Sequence, residues 1–182
     1  MGMHVLDKFR YCPACGSTEF EPSTEKSKRC RHCGFEYFLN PSAANAAFIV
    51  NERSELLVIT RKNDPAKGTL DLPGGFYDLG ENAEEGLARE VREETGLVVT
   101  ASRLLFSYPN TYLYSGFTVH TLDFFFLCQV EDVTVLSAHD DAASYQWIAV
   151  GDLRPERFGL DSIRRAVARF QQDSEAGKLG FE

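Results

Sequence analysis

Carboxylates that could bind a divalent cation are concentrated in one short stretch, residues 81–94. The stretch contains six glutamates and two arginines, a charge of −4, which is half of the net charge of −8 carried by all 182 residues. Carboxylate oxygens on adjacent helical turns suit Mg²⁺ or Mn²⁺, which combine a few carboxylates with water and substrate phosphates. The composition of this stretch therefore predicts a site for one of these cations.

The position of each glutamate on a helix separates candidate ligands from ordinary surface charge. At about 100° per residue, Glu90 and Glu94 fall on the same face as Leu87 and Val91, which should point to the core. An isolated buried charge is strongly disfavoured, so these carboxylates need a partner. We expect both arginines of the stretch to lie on other faces, so that a cation completes the neutralisation. The alternative, a solvated acidic face, fits the glutamates of the first turn.

Four of the five cysteines form a second candidate metal site. Cys12 and Cys15 make one C-x2-C pair, and Cys30 and Cys33 make another after fourteen intervening residues. Four thiolates match the tetrahedral preference of Zn²⁺, and the two-residue spacing lets one turn direct both sulfurs at one ion. We predict a structural zinc site, in preference to two disulfides or a redox-active pair. Cys128 is expected to be a buried small hydrophobic residue.

The elements that must position these clusters follow from the apolar patterns. Strands are predicted at 35–38, 43–50, 56–60, 98–106, 117–130 and 145–150, and helices at 82–95 and 161–171. Gly96 follows the first helix as a C-cap signal. Mixed strands and two helices behind a cysteine module indicate an α/β (α+β) fold, either α+β or a three-layer α/β sandwich.

Length and charge narrow the organisation further. We predict a cysteine module at 1–39, which resembles a zinc ribbon, a larger domain at 40–172 and a mobile tail at 173–182. The chain has no apolar run near the ~20 residues of a membrane span and no signal-like run at its start, so we expect a cytoplasmic protein without a membrane partner. Asp and Glu number 27 against 19 Lys and Arg, which disfavours general nucleic-acid binding.

A family signature covers residues 75–97. The pattern G-x5-E-x7-R-E-U-x-E-E-x-G-U, in which U is aliphatic, is matched at every position, and its seven invariant letters would match by chance with a probability of about 10⁻⁸. The segment is similar to the Nudix box, and residues 42–170 resemble a Nudix hydrolase domain. The invariant letters here are Gly75, Glu81, Arg89, Glu90, Glu93, Glu94 and Gly96.

The resemblance implies an α/β/α sandwich with a mixed sheet, and hydrolysis of a nucleoside diphosphate linked to another group. It implies that Glu90, Glu94 and the carbonyl of Gly75 bind Mg²⁺ (or Mn²⁺). It further implies that Glu93 is another ligand or the base that activates water, and that Arg89 orients these carboxylates.

The resemblance leaves the general base open, because some members of the family take it from a later loop. Asp140 and Asp141 fall at that place in this chain, and Asp141 is the candidate. Glu81 is implied to act together with Arg89 in orienting the helix.

The substrate is the least determined feature. A zinc ribbon ahead of a Nudix domain is similar to the NADH pyrophosphatase branch, which carries S-Q-P-W-P-F-P-x-S after the box. Residues 107–112 read SYPNTY and lack the W-P-F-P core, so the chain is similar to that branch but distinct from it. ADP-ribose, NAD(H) and other dinucleoside diphosphates are the leading substrate class.

Three side chains are candidates for substrate contact. Tyr108 and Tyr112 belong to an aromatic segment that could stack a base, or instead form core packing or a homodimer interface. Arg61 could contact a substrate phosphate or base. Two other functions stay open: an RNA-directed decapping hydrolase with the same catalytic residues, and a zinc-ribbon nucleic-acid-binding or regulatory protein. The acidic composition and the complete box disfavour the latter.

Overall fold

A computed structural model describes residues 4–136 and 142–180, which contain nine strands and two α-helices. Their bounds are β1 Phe20–Thr24, β2 Ser27–Cys30, β3 Glu36–Phe38, β4 Ser42–Ile49, β5 Glu55–Arg61, β6 Leu70–Asp71, α1 Ala83–Thr95, β7 Val99–Tyr114, β8 Phe117–Val130, β9 Ala142–Ala149 and α2 Asp161–Glu175. None of the helices in the described ranges has the length and apolar content that a membrane span requires.

The part of the chain from β4 onwards is a three-layer α/β/α sandwich, as predicted. Its central layer combines the sheet β4-β8-β7, in which β4 and β8 run parallel and β8 and β7 antiparallel, with the antiparallel sheet β6-β5-β9. Alternation along β4 sends Ala46 and Phe48 into the core under α2, and Ala47 and Ile49 into the core under α1. The same strands are therefore buried on both faces, one by each helix. Cys128 is buried in the α1 core, as expected.

The N-terminal part forms its own antiparallel sheet, β1-β2-β3, over a small core in which Phe20 packs between two cysteines. A ring pair joins this part to the sandwich, because Phe9 meets Phe117 at 5.5 Å between ring centroids. The ammonium of Lys8 also donates to the carbonyl of Gly116. The tip of the β7–β8 hairpin is therefore a contact point of the cysteine module.

Two elements continue at least four residues past their predicted ends. β7 continues to Tyr114 through Pro109, which a strand tolerates here because β7 is the edge of its sheet. Ser115 and Gly116, both with positive φ, then form a two-residue turn into β8. α2 continues to Glu175, so it includes the first residues of the segment predicted as a tail.

Candidate active site

Helix α1, which carries five of the six glutamates of residues 81–94, is fixed at both ends and along one face. The Asn82 side chain accepts from the Glu85 N–H at 2.9 Å, and the Glu85 carboxylate accepts from the Asn82 N–H at 3.0 Å, a capping box. Gly96 ends the helix in the left-handed region at φ 74°. Leu87 and Val91 are fully buried against the sheet, so the rotation of the helix is set by packing.

The glutamates of α1 separate as the helical face predicts. Glu94 is 5% exposed, and its carboxylate accepts from the Gly74 N–H at 2.8 Å. The Glu90 side chain is 17% exposed and lies against Gly75, where a Cβ would stand 2.6 Å from the Glu90 carboxyl carbon. Glu93, with a side chain 46% exposed, flanks this pair. Only glycine at position 75 permits the close approach of Glu90 to the loop.

Arg89 is the centre of the acidic cluster, although its position on the helix lies on another face than Glu90 and Glu94. Its Nε and Nη2 donate to the two oxygens of Glu81 at 2.7 and 3.0 Å. Nη1 donates to Glu90 at 3.0 Å and to Glu93 at 3.1 Å, and Nη2 also donates to the carbonyl of Phe76 at 2.9 Å. These five bonds equal the five N–H donors of a guanidinium. The single planar cation therefore holds three carboxylates and the loop in one arrangement.

The hydrogen bonds between Arg89 and Glu81 also shift the pKa values of both side chains. Hydrogen bonding from Arg89 lowers the pKa of Glu81, and the Glu81 carboxylate in turn raises the pKa of Arg89. Both groups are therefore charged across the physiological range.

The loop before α1 is held by pairing along the free edge of β4. Asn45 N–H donates to the Gly75 carbonyl and Ala47 N–H to the Pro73 carbonyl, both at 2.8 Å. A carbonyl oxygen has two lone pairs, so the Gly75 carbonyl can accept from Asn45 and still offer a lone pair to a cation. This carbonyl and the neighbouring carboxylates of Glu90 and Glu94 form the all-oxygen donor set that Mg²⁺ and Mn²⁺ prefer, so the residues fit such an ion.

A cleft of about 850 Å³, part of it open to solvent, runs from these groups along the α2 side of the sheet. Gly75 and Glu94 line it at one place, and the predicted contacts Arg61 and Tyr112 line it elsewhere. Burial raises the pKa of the Tyr112 hydroxyl, which therefore stays protonated at neutral pH. Tyr108 is not among the described residues that line the cleft.

Tyr108 instead packs under α2, where the guanidinium of Arg165 lies 4.2 Å from its ring centroid. It therefore drops out of the proposed substrate contacts. Arg61 lines the cleft but is already engaged: it pairs with the buried Asp71 and donates to the Pro65 carbonyl at 2.7 Å. Burial raises the pKa of Asp71, and the charge of Arg61 opposes that rise.

Several polar residues of the cleft were not predicted from the sequence. Thr121 and Asp123 occupy alternate positions of β8, and Asn110 faces Thr121 from β7. A threonine and a carboxylate at alternate positions just ahead of an apolar strand segment would have been the signal that finds them.

Asp140 and Asp141, the candidates for a base from a later loop, lie outside the described residues.

The four cysteines come together as predicted. All four sulfurs lie within 4.8 Å of one another, and Cys12–Cys33 and Cys15–Cys30 are each 3.7 Å apart. Four ligands at about 2.3 Å from a zinc ion stand about 3.8 Å apart at the corners of a tetrahedron, so the cluster has the size that Zn²⁺ requires. Hydrogen bonds from the backbone N–H groups of Cys33 and His32 lower the pKa of Cys30 to about 6, which favours the thiolate.

Known proteins are similar to this chain in sequence and in fold. The NUDIX domain profile matches residues 40–170. The ADP-ribose pyrophosphatase of Methanocaldococcus jannaschii is 32% identical over 139 residues, which are 75% of this chain and 79% of that protein. The NAD-capped RNA hydrolase NudC of Shigella dysenteriae serotype 1 is 29% identical over 126 residues, 68% of this chain, and the chain spans only 48% of NudC. A NUDIX hydrolase structure from Nitrosomonas europaea superposes with a TM-score of 0.69 at 19% identity, over 95% of this chain and 96% of that one. The chain therefore belongs to the Nudix family of hydrolases.

Proposed function

We propose that the protein cleaves the pyrophosphate bond of a nucleoside diphosphate linked to another group, using Mg²⁺ or Mn²⁺, and that ADP-ribose is the first substrate to test. The observation that carries the proposal is the cleft that begins at Gly75 and Glu94, because it gives a substrate direct access to the oxygen donor set. The relative from Methanocaldococcus jannaschii, named an ADP-ribose pyrophosphatase, supports the choice of substrate.

We assign roles to the residues of the box by their surroundings. Glu90, Glu94 and the Gly75 carbonyl would hold the cation, which when bound supplies charge neutralisation for the phosphates and an acidic water ligand. Glu94 is oriented for this by the Gly74 N–H. Glu93 is the most exposed of the three carboxylates, so it can accept a proton from water, and Asp141 is the other candidate for this role.

Arg89 is a positioning residue in this proposal. It fixes Glu90 and Glu93 relative to the loop that carries the Gly75 carbonyl, through the bonds described above. The pyrophosphate group is anionic and repels hydroxide, so its hydrolysis depends on a cation that neutralises this charge. The carboxylates that Arg89 positions would determine where that cation binds.

The cysteine cluster supports a second cofactor with a different purpose. We propose that Cys12, Cys15, Cys30 and Cys33 hold a structural Zn²⁺ within a ribbon at 1–39, ahead of a catalytic domain at 40–172. Four sulfur ligands leave no open coordination position, so this ion would stabilise the fold and take no part in hydrolysis.

The test is release of AMP from ADP-ribose in the presence of Mg²⁺ by three proteins: the parent, Glu94→Gln and Glu84→Gln. We expect Glu94→Gln to lose at least about 10²-fold in kcat, because the amide is a weaker ligand without charge. Glu84 lies exposed on another face of α1, so Glu84→Gln is the matched control and should keep its activity. Near-normal turnover by Glu94→Gln would overturn the metal assignment.

A further inference from the structure

The part of the cleft under the start of α2 has a polar lining, which we call the polar floor: Asn110, Thr121, Asp123 and the supporting Ser162. All four residues are buried, with Thr121 3% and Asp123 7% exposed. Asn110 pairs with Thr121 across β7 and β8, and Asp123 follows two residues later, so the three side chains share the α2 face of the sheet. Asn110, Thr121 and Asp123 line the same cleft as Gly75 and Glu94.

The polar floor has hydrogen-bonding capacity that the described residues do not use. The Thr121 hydroxyl is buried and has no hydrogen-bond partner within the described ranges. Asp123 accepts from the Ser162 hydroxyl at 2.5 Å through one oxygen, whereas a carboxylate offers about four acceptor positions. Buried polar groups are normally satisfied, so an unpaired hydroxyl lining a cleft indicates that a ligand completes it.

The charge of the polar floor restricts what that ligand can be. Asp123 repels a phosphate, so the diphosphate of a substrate belongs at the other part of the cleft, beside the box. Asp71, another buried carboxylate in the lining, is already paired with Arg61, and the buried Glu94 belongs to the box. Asp123 therefore suits a group that offers N–H or O–H donors.

The walls around the polar floor favour a flat ring over a sugar. The lining of the cleft includes the aliphatic side chains of Ala44, Ala46, Leu72, Leu160 and Ile163, together with the ring of Tyr112. Small-molecule sites usually combine apolar walls with a few polar groups that fix the orientation of the ligand. A planar base suits such walls, because its two faces are apolar and its polar atoms lie at its edge. A base with an exocyclic amine next to a ring nitrogen matches a carboxylate acceptor beside a hydroxyl donor.

We propose that Asp123 and Thr121 are the specificity-determining residues for the base of the substrate, and that they select an adenine-type edge. Asp123 accepts a hydrogen bond from the exocyclic amine, and the Thr121 hydroxyl donates to the neighbouring ring nitrogen. Ser162 holds the Asp123 carboxylate in place. The inference rests on the proposed function, since it places the diphosphate at the box.

The experiment compares kcat/KM for ADP-ribose and IDP-ribose, whose base has a carbonyl oxygen in place of the amine. We expect the parent protein to prefer ADP-ribose by about 10²-fold or more, because the carbonyl would face a carboxylate. In Asp123→Asn the amide can donate to that carbonyl and still accept from Ser162, so the preference should fall at least about 10-fold. Thr121→Val should lower kcat/KM for ADP-ribose about 10-fold.

The control is Asp152→Asn, the same chemical change at an exposed position away from the cleft, which should leave both rates unchanged. An unchanged preference in Asp123→Asn would overturn the proposal. An equal loss on both substrates would do so too, since it would place the polar floor on the ribose that they share.

A binding measurement separates this inference from the proposed function. Calorimetric titration of the same variants with AMP and IMP reports base selection without any turnover. Preference for AMP that disappears in Asp123→Asn supports the base site even if ADP-ribose is not hydrolysed. Equal binding of AMP and IMP by the parent protein, together with efficient hydrolysis of both ADP-ribose and IDP-ribose, would reject the base site and keep the enzyme.

Discussion

Replacing threonine by valine should change stability in opposite directions at two buried positions. At Thr121 the substitution removes a hydroxyl that has no partner within the described ranges, and burying such a group costs about 1–3 kcal/mol. Valine has nearly the same shape, so the packing is retained. Because the cleft is partly open to solvent, we take the lower end and expect Thr121→Val to stabilise the protein by about 1 kcal/mol.

Thr95 is the matched position, because it is fully buried and its hydroxyl has hydrogen-bond partners. Its hydroxyl donates to the Val91 carbonyl and accepts from the Leu97 N–H at 3.2 Å, at the end of α1. Valine at this position removes both bonds and leaves the Leu97 N–H without that acceptor. We expect Thr95→Val to cost about 1–2 kcal/mol, so the two variants should differ by about 2–3 kcal/mol.

The assay is urea and thermal unfolding without nucleotide, in excess zinc so that the state of the cysteine cluster is the same in every sample. For a protein of this size, 1 kcal/mol corresponds to a shift in Tm of about 2–4 °C. Thr121→Val should therefore melt above the parent and Thr95→Val below it. A lower Tm for Thr121→Val would refute the reasoning, since the hydroxyl would then have a stabilising partner in the free protein.

Three further outcomes follow from the described contacts. Arg89→Lys should lower kcat about 10-fold or more in steady-state assays, because an ammonium offers three donors from one point where the guanidinium uses five. Cys12→Ser should lose bound zinc by elemental analysis and melt at a lower temperature, whereas Cys128→Ala should keep its zinc; full zinc content in Cys12→Ser would contradict the ribbon. Since Arg89 lowers the pKa of Glu81 in the folded state, the stability from this pair is complete above the usual value of 4.5 and is lost as pH falls through the lowered pKa. The parent protein should therefore be more stable than Glu81→Gln at pH 7, and the two should converge as pH falls below 4.5 through the lowered pKa; a constant difference would contradict the pair.

The box and its helix could be predicted because their determinants are local in the sequence. Helical periodicity alone places Glu94 on the buried face with Val91, and Gly96 follows as the C-cap. The partners of Arg89 were harder, because the hydrogen bond to the Phe76 carbonyl spans thirteen residues and depends on how the loop returns over the helix. The angular position of a residue on a helix gives the direction in which its side chain leaves the backbone. A long arginine side chain can still bend around the helix and contact groups on a neighbouring face.

The extent of β7 could not be predicted from its own residues. Pro109 and Asn110 are typical of turns, but pairing with β8 overrides that preference at the sheet edge. The Ser115-Gly116 pair was the available signal for a tight hairpin. Without the register of that hairpin, the sequence does not distinguish Tyr108 from Tyr112 as a substrate contact. In the structure, Tyr112 lines the cleft and Tyr108 does not.

One sheet face serves two purposes, and the start of α2 divides them. Phe106 and Phe125 lie in the apolar core that α2 covers. Further along the same face of β7 and β8, Asn110 and Asp123 meet the first turn of α2, where Ser162 accounts for part of the polar capacity. Among the described residues, the buried carboxylate of Asp123 has one hydrogen-bond partner, Ser162, which is unfavourable for stability alone. Asp123 lines a cleft that ends beside the box. In the proposed function, chemistry is encoded by a contiguous motif, whereas selection of the base depends on strand register, which is why the box identifies the reaction more readily than the base.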